Sequence, residues 1–203
     1  MTSDSPTIHV IDDDDAMRAS LAFLLESAGL TCRTYASAPD FLTHCAQAEI
    51  GCVITDVRMP EMGGLQLVAE LKARNFRLPV IVITGHGDVP LAVEAMKNGV
   101  VDFIEKPFDD ELLLGAIQRA MTLAPPDAPR NEAAAGFAAL LASLSPRETE
   151  VLRGVVDGKP NKVIAFELGI SPRTVEVYRA NVMTKTGAHS LSELVRMALV
   201  AGF

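Results

Sequence analysis

Five side chains in the first half of the chain are of the types that phosphoryl-transfer chemistry uses. Asp12 and Asp13 follow the apolar run Ile8–Ile11, and Asp56 follows Cys52–Thr55. Thr84 follows Val80–Ile83, and Lys106, with Pro107 next, comes just after Val101–Ile104. Each run is short and mostly β-branched, the pattern of a buried strand. In a parallel sheet, ligands gather at the carboxyl ends of the strands, so parallel pairing of these runs would bring all five side chains to one edge. Three carboxylates at close range repel one another unless a cation joins them. Mg²⁺ (or Mn²⁺) is the natural partner because it takes oxygen ligands. A lysine and a hydroxyl opposite it can cradle phosphate oxygens. The set suits transfer of a phosphoryl group to an aspartate, with the cation and the lysine neutralising charge. Singly, these residues have plainer readings: the run Asp12–Asp15 also fits a solvated acidic turn that caps the next helix. The joint placement carries the argument.

Amphipathic stretches separate the runs: Ala16–Ala28, Ala38–Ala46, Gly64–Arg74, Val89–Asn98 and Asp109–Leu123. With Thr31–Tyr35 as a further strand, this is five βα units, which predict an α/β doubly wound parallel sheet. Gly29 and Gly99 stand just past two helices, where a left-handed residue closes a helix cheaply. Residues 124–137 hold three prolines and read as a linker, stiff at first and helical by Ala133. After it only helical patterns follow. Ser145-Pro146-Arg147-Glu148 reads as a helix start with a capping box. Further helices are expected from Asn161 to Gly169, from Ser171-Pro172 to about Lys185, and over Ser192–Ala201. The expected layout is a domain at 7–123, the linker at 124–137, and a small all-α domain at 138–203.

The chain has 203 residues, 49% hydrophobic and 22% charged, which fits globular domains and excludes collagen and long disordered tracts. No apolar stretch reaches the roughly 20 residues of a membrane helix. Cys32, Cys45 and Cys52 form no CxxC, and the histidines have no zinc-site spacing, which predicts reduced thiols in a cytoplasmic protein without a membrane partner. Residues 1–124 carry 9 Lys and Arg against 18 Asp and Glu, whereas residues 125–203 carry 9 against 8. An acidic front joined to a mildly basic back predicts two domains with different partners.

The motifs IDDD at 11–14, TDVRMPEMGG at 55–64, TGHGDVPLAVEAM at 84–96 and DFIEKPF at 102–108 resemble, in order and spacing, those of a response-regulator receiver domain. The resemblance implies that Asp56 accepts the phosphoryl group. Asp13, Asp56 and the Arg58 backbone carbonyl would hold Mg²⁺ directly, with Asp12 acting through water. Thr84 and Phe103 would be the switch pair, Lys106 would bind the phosphoryl group, and Lys106–Pro107 would be cis. The stretch 89–98 is more apolar than one buried face requires. Val89, Leu91, Val93 and Met96, with Lys97, form either a dimer surface or a helix buried more deeply than usual; the resemblance favours the dimer.

In the back half, a short helix, a turn with Gly169 and a longer helix make a helix-turn-helix pattern at about 160–185. Ile164, Leu168, Ile170, Val175, Tyr178 and Val182 recur as a small core. Arg173, Thr174, Glu176, Val177, Arg179 and Ala180 are left nearer the open side, where a recognition helix meets the major groove. Asn161 and Ser171 join this DNA-facing set. Lys159, Lys162, Arg179 and Lys185 would neutralise phosphates. A plain helical bundle with a charged face is the alternative. LSPRETEVL at 144–152 and GKPNKVIAFELGISPRTVEVYRANVMTK at 158–185 resemble a LuxR/NarL-type DNA-binding domain. Glu176, Pro160 and Thr186 depart from that family's usual residues.

The domain pair resembles the FixJ subfamily of response regulators. That implies a sensor histidine kinase (FixL-like) as phosphodonor, promoter DNA and RNA polymerase as partners, a homodimer on phosphorylation, and microaerobic or nitrogen-fixation genes as targets. The chain is expected to be a phosphorylation-gated transcription activator rather than a turnover enzyme. Rival readings are a regulator that binds DNA without phosphorylation, one that controls an unrelated set of genes, a Mg²⁺-dependent phosphatase on a similar fold, and an interaction module that never touches DNA.

Overall fold

Five apolar runs form the strands β1 (Thr7–Ile11), β2 (Thr31–Tyr35), β3 (Gly51–Asp56), β4 (Val80–Thr84) and β5 (Asp102–Glu105). The computed structural model describes residues 6–44, 51–76, 78–85, 89–122 and 131–203. All four strand pairings are parallel, in the order β2-β1-β3-β4-β5. The inner strands β3 and β4 are buried along almost their whole length. This is why they read as unbroken apolar runs: a central parallel strand is covered on both faces. The edge strand β2 buries only Tyr35.

The helices of this sheet are α1 (Asp15–Ser27), α2 (Ala38–His44), α3 (Gly64–Ala73) and α5 (Asp110–Thr122). Asp14 caps α1, its carboxylate accepting from the backbone N–H of Ala16 and Met17. α5 buries Leu113, Ala116, Ile117 and Ala120, a stripe at helical spacing, against Ile8, Val10, Ile54, Ile81 and Ile104 of the sheet. Gly29 and Gly99 take positive φ, as their places after helices require. The end of the second expected helix, with Cys45, lies outside the described residues; Cys32 and Cys52 are free thiols.

The chain divides into two compact units. The first comprises Met1–His86 and Asn98–Pro126, and the second Gly87–Lys97 with Asp127–Phe203. The second unit holds α4 (Val89–Lys97), α6 (Asn131–Ala142), α7 (Pro146–Val156), α8 (Asn161–Leu168), α9 (Pro172–Thr186) and α10 (Leu191–Val200). The helix expected by Ala133 is found as α6, which begins at Asn131 within the span read as linker; residues 124–130 lie outside the described residues. One difference from the sequence reading stands out: Val93 and Met96 are not open dimer-surface residues. They are 2% and 6% exposed and pack in one cluster with Val151, Val155, Ile164, Val175 and Val195. Of the two readings of this helix, the deeper burial is the one found. Leu91 is half-buried, Lys97 is exposed, and the Val89 side chain lies outside the described residues.

The core residues expected of the helix-turn-helix take their places: Ile164, Val175 and Val182 are buried, with Leu168, Ile170 and Tyr178 partly so. Gly169 ends α8 in the left-handed conformation at φ 66°, a geometry that penalises any residue with a Cβ. Thr186, one of the departures from the family's usual residues, is buried, and its hydroxyl is satisfied by donating to the Val182 carbonyl at 2.8 Å. The capping box at Ser145 is formed. The Ser145 hydroxyl accepts from the Glu148 N–H at 3.3 Å, and Glu148 Oε2 accepts from the Ser145 N–H at 2.7 Å. The same oxygen accepts from Lys185 Nζ at 2.7 Å, so the start of α7 is tied to the end of α9.

The Lys185 hydrogen bond, seconded by the Ser145 backbone, holds the Glu148 carboxyl down at about 2, against an ordinary 4.5. A depressed carboxyl stabilises the fold fully above its unfolded value and loses that contribution as pH falls. The unfolding midpoint of Glu148→Gln should therefore lie below that of wild type at neutral pH, and the gap should close as pH drops from 4.5 towards 2. Calorimetric scans of the full chain across that range would measure it.

Candidate functional site

The pairing register positions the site. Ile11 pairs with Thr55, Asp56 with Ile83, and Thr84 with Glu105. Asp12, one residue past β1, therefore emerges beside Asp56, and Lys106, one residue past β5, emerges beyond Thr84. All lie at the C-terminal edge, where the strand order reverses between β1 and β3; open α/β sheets bind ligands there.

Lys106 Nζ donates to Asp12 Oδ2 at 3.0 Å and to Asp56 Oδ1 at 2.9 Å. The three side chains keep only 20%, 5% and 11% of their exposure, in the order Lys106, Asp12, Asp56. Burial alone would pull the lysine down. The hydrogen bonds to Asp56 and Asp12, and their charges, outweigh it and hold the ammonium above its ordinary value. Lys106 is thus a fixed cation at neutral pH. The other oxygens are also engaged: Asp12 Oδ1 accepts from the Asp14 N–H at 2.9 Å, and Asp56 Oδ2 from the Arg58 N–H at 2.6 Å. Thr84 is 1% and Phe103 9% exposed, Asp13 is exposed, and the Lys106–Pro107 bond is cis.

The loop after Asp56 is held close to it. The Gly64 N–H donates to the Val57 carbonyl at 3.0 Å, and the Gly63 N–H to Gln66 Oε1 at 3.1 Å. A Cβ on Gly64 would press into the Asp56 carbonyl oxygen, so only glycine lets the backbone pass here.

Asp12, Asp13 and Asp56 set three carboxylates against the Lys106 ammonium, while the nearby Arg18 guanidinium is offset by Asp15. That surplus, on hard oxygen donors, fits a divalent cation such as Mg²⁺. Among the described residues no three acidic, histidine or cysteine side chains are already gathered as a metal cluster; Lys106 stands between Asp12 and Asp56.

One residue at this edge has no precedent in the sequence reading. Arg18 Nη1 donates to the Asp12 backbone carbonyl at 2.6 Å, and Nη2 pairs with Asp15. Its spacing from the aspartate run was the available signal, but any exposed helix start can carry such an arginine.

In the second unit, Ser171 caps α9, its hydroxyl accepting from the Thr174 N–H at 3.1 Å. Arg173, Glu176, Val177 and Ala180 are exposed; Thr174 and Arg179 are half-buried. Three expected phosphate contacts already have partners. Arg179 donates to Asn161 Oδ1 at 2.9 Å, Lys159 pairs with Glu167 at 2.8 Å, and Lys185 pairs with Glu148. Helix starts and turns bring carboxylates and amides to these bases, which linear charge counting cannot show. Lys162 is exposed. Phe166, which pattern reasoning passed over, is 89% exposed on α8.

Removing one partner of a buried ion pair costs ~3–5 kcal/mol. With Lys106 one-fifth exposed, solvent screening brings the expected loss to about 2 kcal/mol. Lys106→Met should lower the unfolding midpoint, and adding Asp12→Asn should restore part of it by removing the repulsion left behind. A double-mutant cycle by thermal unfolding at low salt would check this.

Comparison with known proteins agrees with this geometry. Residues 8–118 match the response regulator receiver domain, and residues 142–198 match the bacterial regulatory proteins of the luxR family. The chain is 55% identical over 199 residues to the transcriptional regulatory protein FixJ of Azorhizobium caulinodans, covering 98% of this chain and 94% of the relative. It is 51% identical to FixJ of Rhizobium meliloti over 97% of each chain. Among solved structures, full-length FixJ from B. japonicum is 53% identical, with a TM-score of 0.55 over 97% of each chain. The response regulator StyR is 40% identical, with a TM-score of 0.57 over 96% of this chain and 98% of that one. Parallel sheet, acidic edge and helix-turn-helix thus occur together in a chain that belongs to the response regulators, as a FixJ-like member joining a receiver to a LuxR-type DNA-binding domain and acting as a transcription activator in two-component signalling.

Proposed function

We propose that a sensor histidine kinase phosphorylates Asp56 in a Mg²⁺-dependent reaction, and that the phosphorylated chain dimerises and binds promoter DNA to activate transcription. The observation that carries this is the Asp56 carboxylate held between Lys106 and the Asp12 loop at the sheet's C-terminal edge. Asp56 Oδ attacks the donor's phosphorus, the bond from phosphorus to the donor breaks, and an acyl phosphate forms on Asp56. Lys106 is placed to neutralise the transferred oxygens. Asp13, Asp56 and the Arg58 carbonyl would hold Mg²⁺, with Asp12 acting through water; the ion would supply further neutralisation of the transferring group. Thr84 on β4, the neighbour of the acceptor strand, and Phe103 on β5, one strand further, would read the change, since the phosphoryl group that replaces the free carboxylate charge carries about −1.5 to −2 at neutral pH.

In this reading residues 7–123 act as the receiver, 124–137 as the connection and 138–203 as the DNA-binding domain, working in the cytoplasm. The unphosphorylated receiver restrains DNA binding, and phosphorylation relieves the restraint. A dimer built on α4 needs Val93 and Met96 uncovered. Glu176, Val177 and Ala180 would meet base edges, and Arg173, Lys162 and Ser171 the phosphate backbone. The promoter-bound dimer would engage RNA polymerase. The FixJ names of several relatives support a FixL-like kinase and microaerobic or nitrogen-fixation targets.

Incubation with acetyl phosphate and Mg²⁺ should add one phosphoryl group to the wild-type mass and none to Asp56→Asn. Promoter-fragment affinity should rise on phosphorylation in the wild type only. Label on Asp56→Asn, or equal DNA affinity with and without phosphodonor, would refute this mechanism.

A further inference from the structure

We propose that Arg18 is a positioning residue for the acceptor edge: it fixes the Asp12–Asp13 peptide so that the Asp13 carboxylate is presented to a divalent cation. The inference rests on the Mg²⁺-dependent reading above and assigns a new residue to it. Arg18 stands one turn into α1, and its side chain is 16% exposed. Nη1 donates to the Asp12 carbonyl oxygen at 2.6 Å, and Nη2 reaches the Asp15 carboxylate. The fork thus spans the acidic run, gripping it on either side of Asp13 and the cap residue Asp14.

The two aspartates of this edge are held in different ways. The Asp12 carboxylate is fixed by side-chain and backbone donors, Lys106 Nζ and the Asp14 N–H. The Asp13 carboxylate is exposed, and among the described residues no hydrogen bond or ion pair holds it. The direction of its Cα–Cβ bond is therefore set by its backbone alone. The carbonyl that Arg18 grips belongs to the peptide joining Asp12 to Asp13, so the guanidinium holds the plane from which the Asp13 side chain departs. Groups one shell out from a metal act in this way, orienting ligands they do not replace. A planar fork suits the task better than an ammonium, because two donors leave it little freedom to swing.

Charge and position make opposite predictions here. Arg18 brings a positive charge close to a site for a cation. If charge were its only effect, neutralising it would tighten Mg²⁺ binding. If it positions Asp13, neutralising it weakens binding despite the lost repulsion.

The test is calorimetric titration of Mg²⁺ into the full chain, comparing wild type, Arg18→Gln and Arg18→Lys. Arg18→Gln should weaken Mg²⁺ about tenfold, the lower range for loss of a ligand-orienting partner. Arg18→Lys, which keeps the charge and one donor, should recover part of the loss; it also carries the test if circular dichroism shows that Arg18→Gln does not fold. Unchanged or tighter Mg²⁺ binding in Arg18→Gln, with wild type binding normally, would overturn the positioning role alone. No Mg²⁺ binding by wild type would overturn both this role and the phosphoryl-acceptor reading.

Discussion

One ammonium between two nearly buried carboxylates is the interaction on which the acceptor edge depends. Without Lys106, Asp12 and Asp56 would face each other across adjacent strand ends with little solvent to screen them. With it, each carboxylate has one oxygen on the lysine and the other on a backbone N–H. The pair is therefore fixed and close, yet the edge retains a surplus of negative charge. An acceptor for a phosphoryl group needs that combination: a carboxylate that stays nucleophilic, and a cation already in place for the charge that arrives.

The sheet makes this meeting unavoidable. In parallel strands the ends that carry Asp12, Asp56, Thr84 and Lys106 all face the same way, and the register leaves no freedom in which residue stands beside which. This part of the fold was readable because each strand is a compact apolar run with a turn after it, and the site residues follow the runs directly. The same arithmetic brings Lys106 to that edge, but its bridge to Asp12 and Asp56 is a finding of the structure. What could not be read were contacts whose partners come from different elements. The grip of Arg18 on the Asp12 carbonyl depends on a rotamer, and the partners of Lys159, Arg179 and Lys185 depend on how helices pack.

α4 shows a second limit. Its excess of apolar residues was legible, but periodicity cannot say what covers a helix. Val93 and Met96 take their place in a cluster with four other helices, so the same side chains cannot be open to another copy of the chain while so packed.

The Glu148–Lys185 pair ties the beginning of α7 to the end of α9, and Lys159 and Arg179 are likewise engaged within their own unit. Each such base that reached for a DNA phosphate would first have to leave its partner. For Lys159 and Lys185 that exchange swaps one anion for another, which releases fewer ions on balance than neutralising a phosphate with an unpaired lysine. The ionic-strength dependence of DNA binding would then be shallower than a tally of basic residues implies, and discrimination between sequences would fall more heavily on the exposed surface of α9.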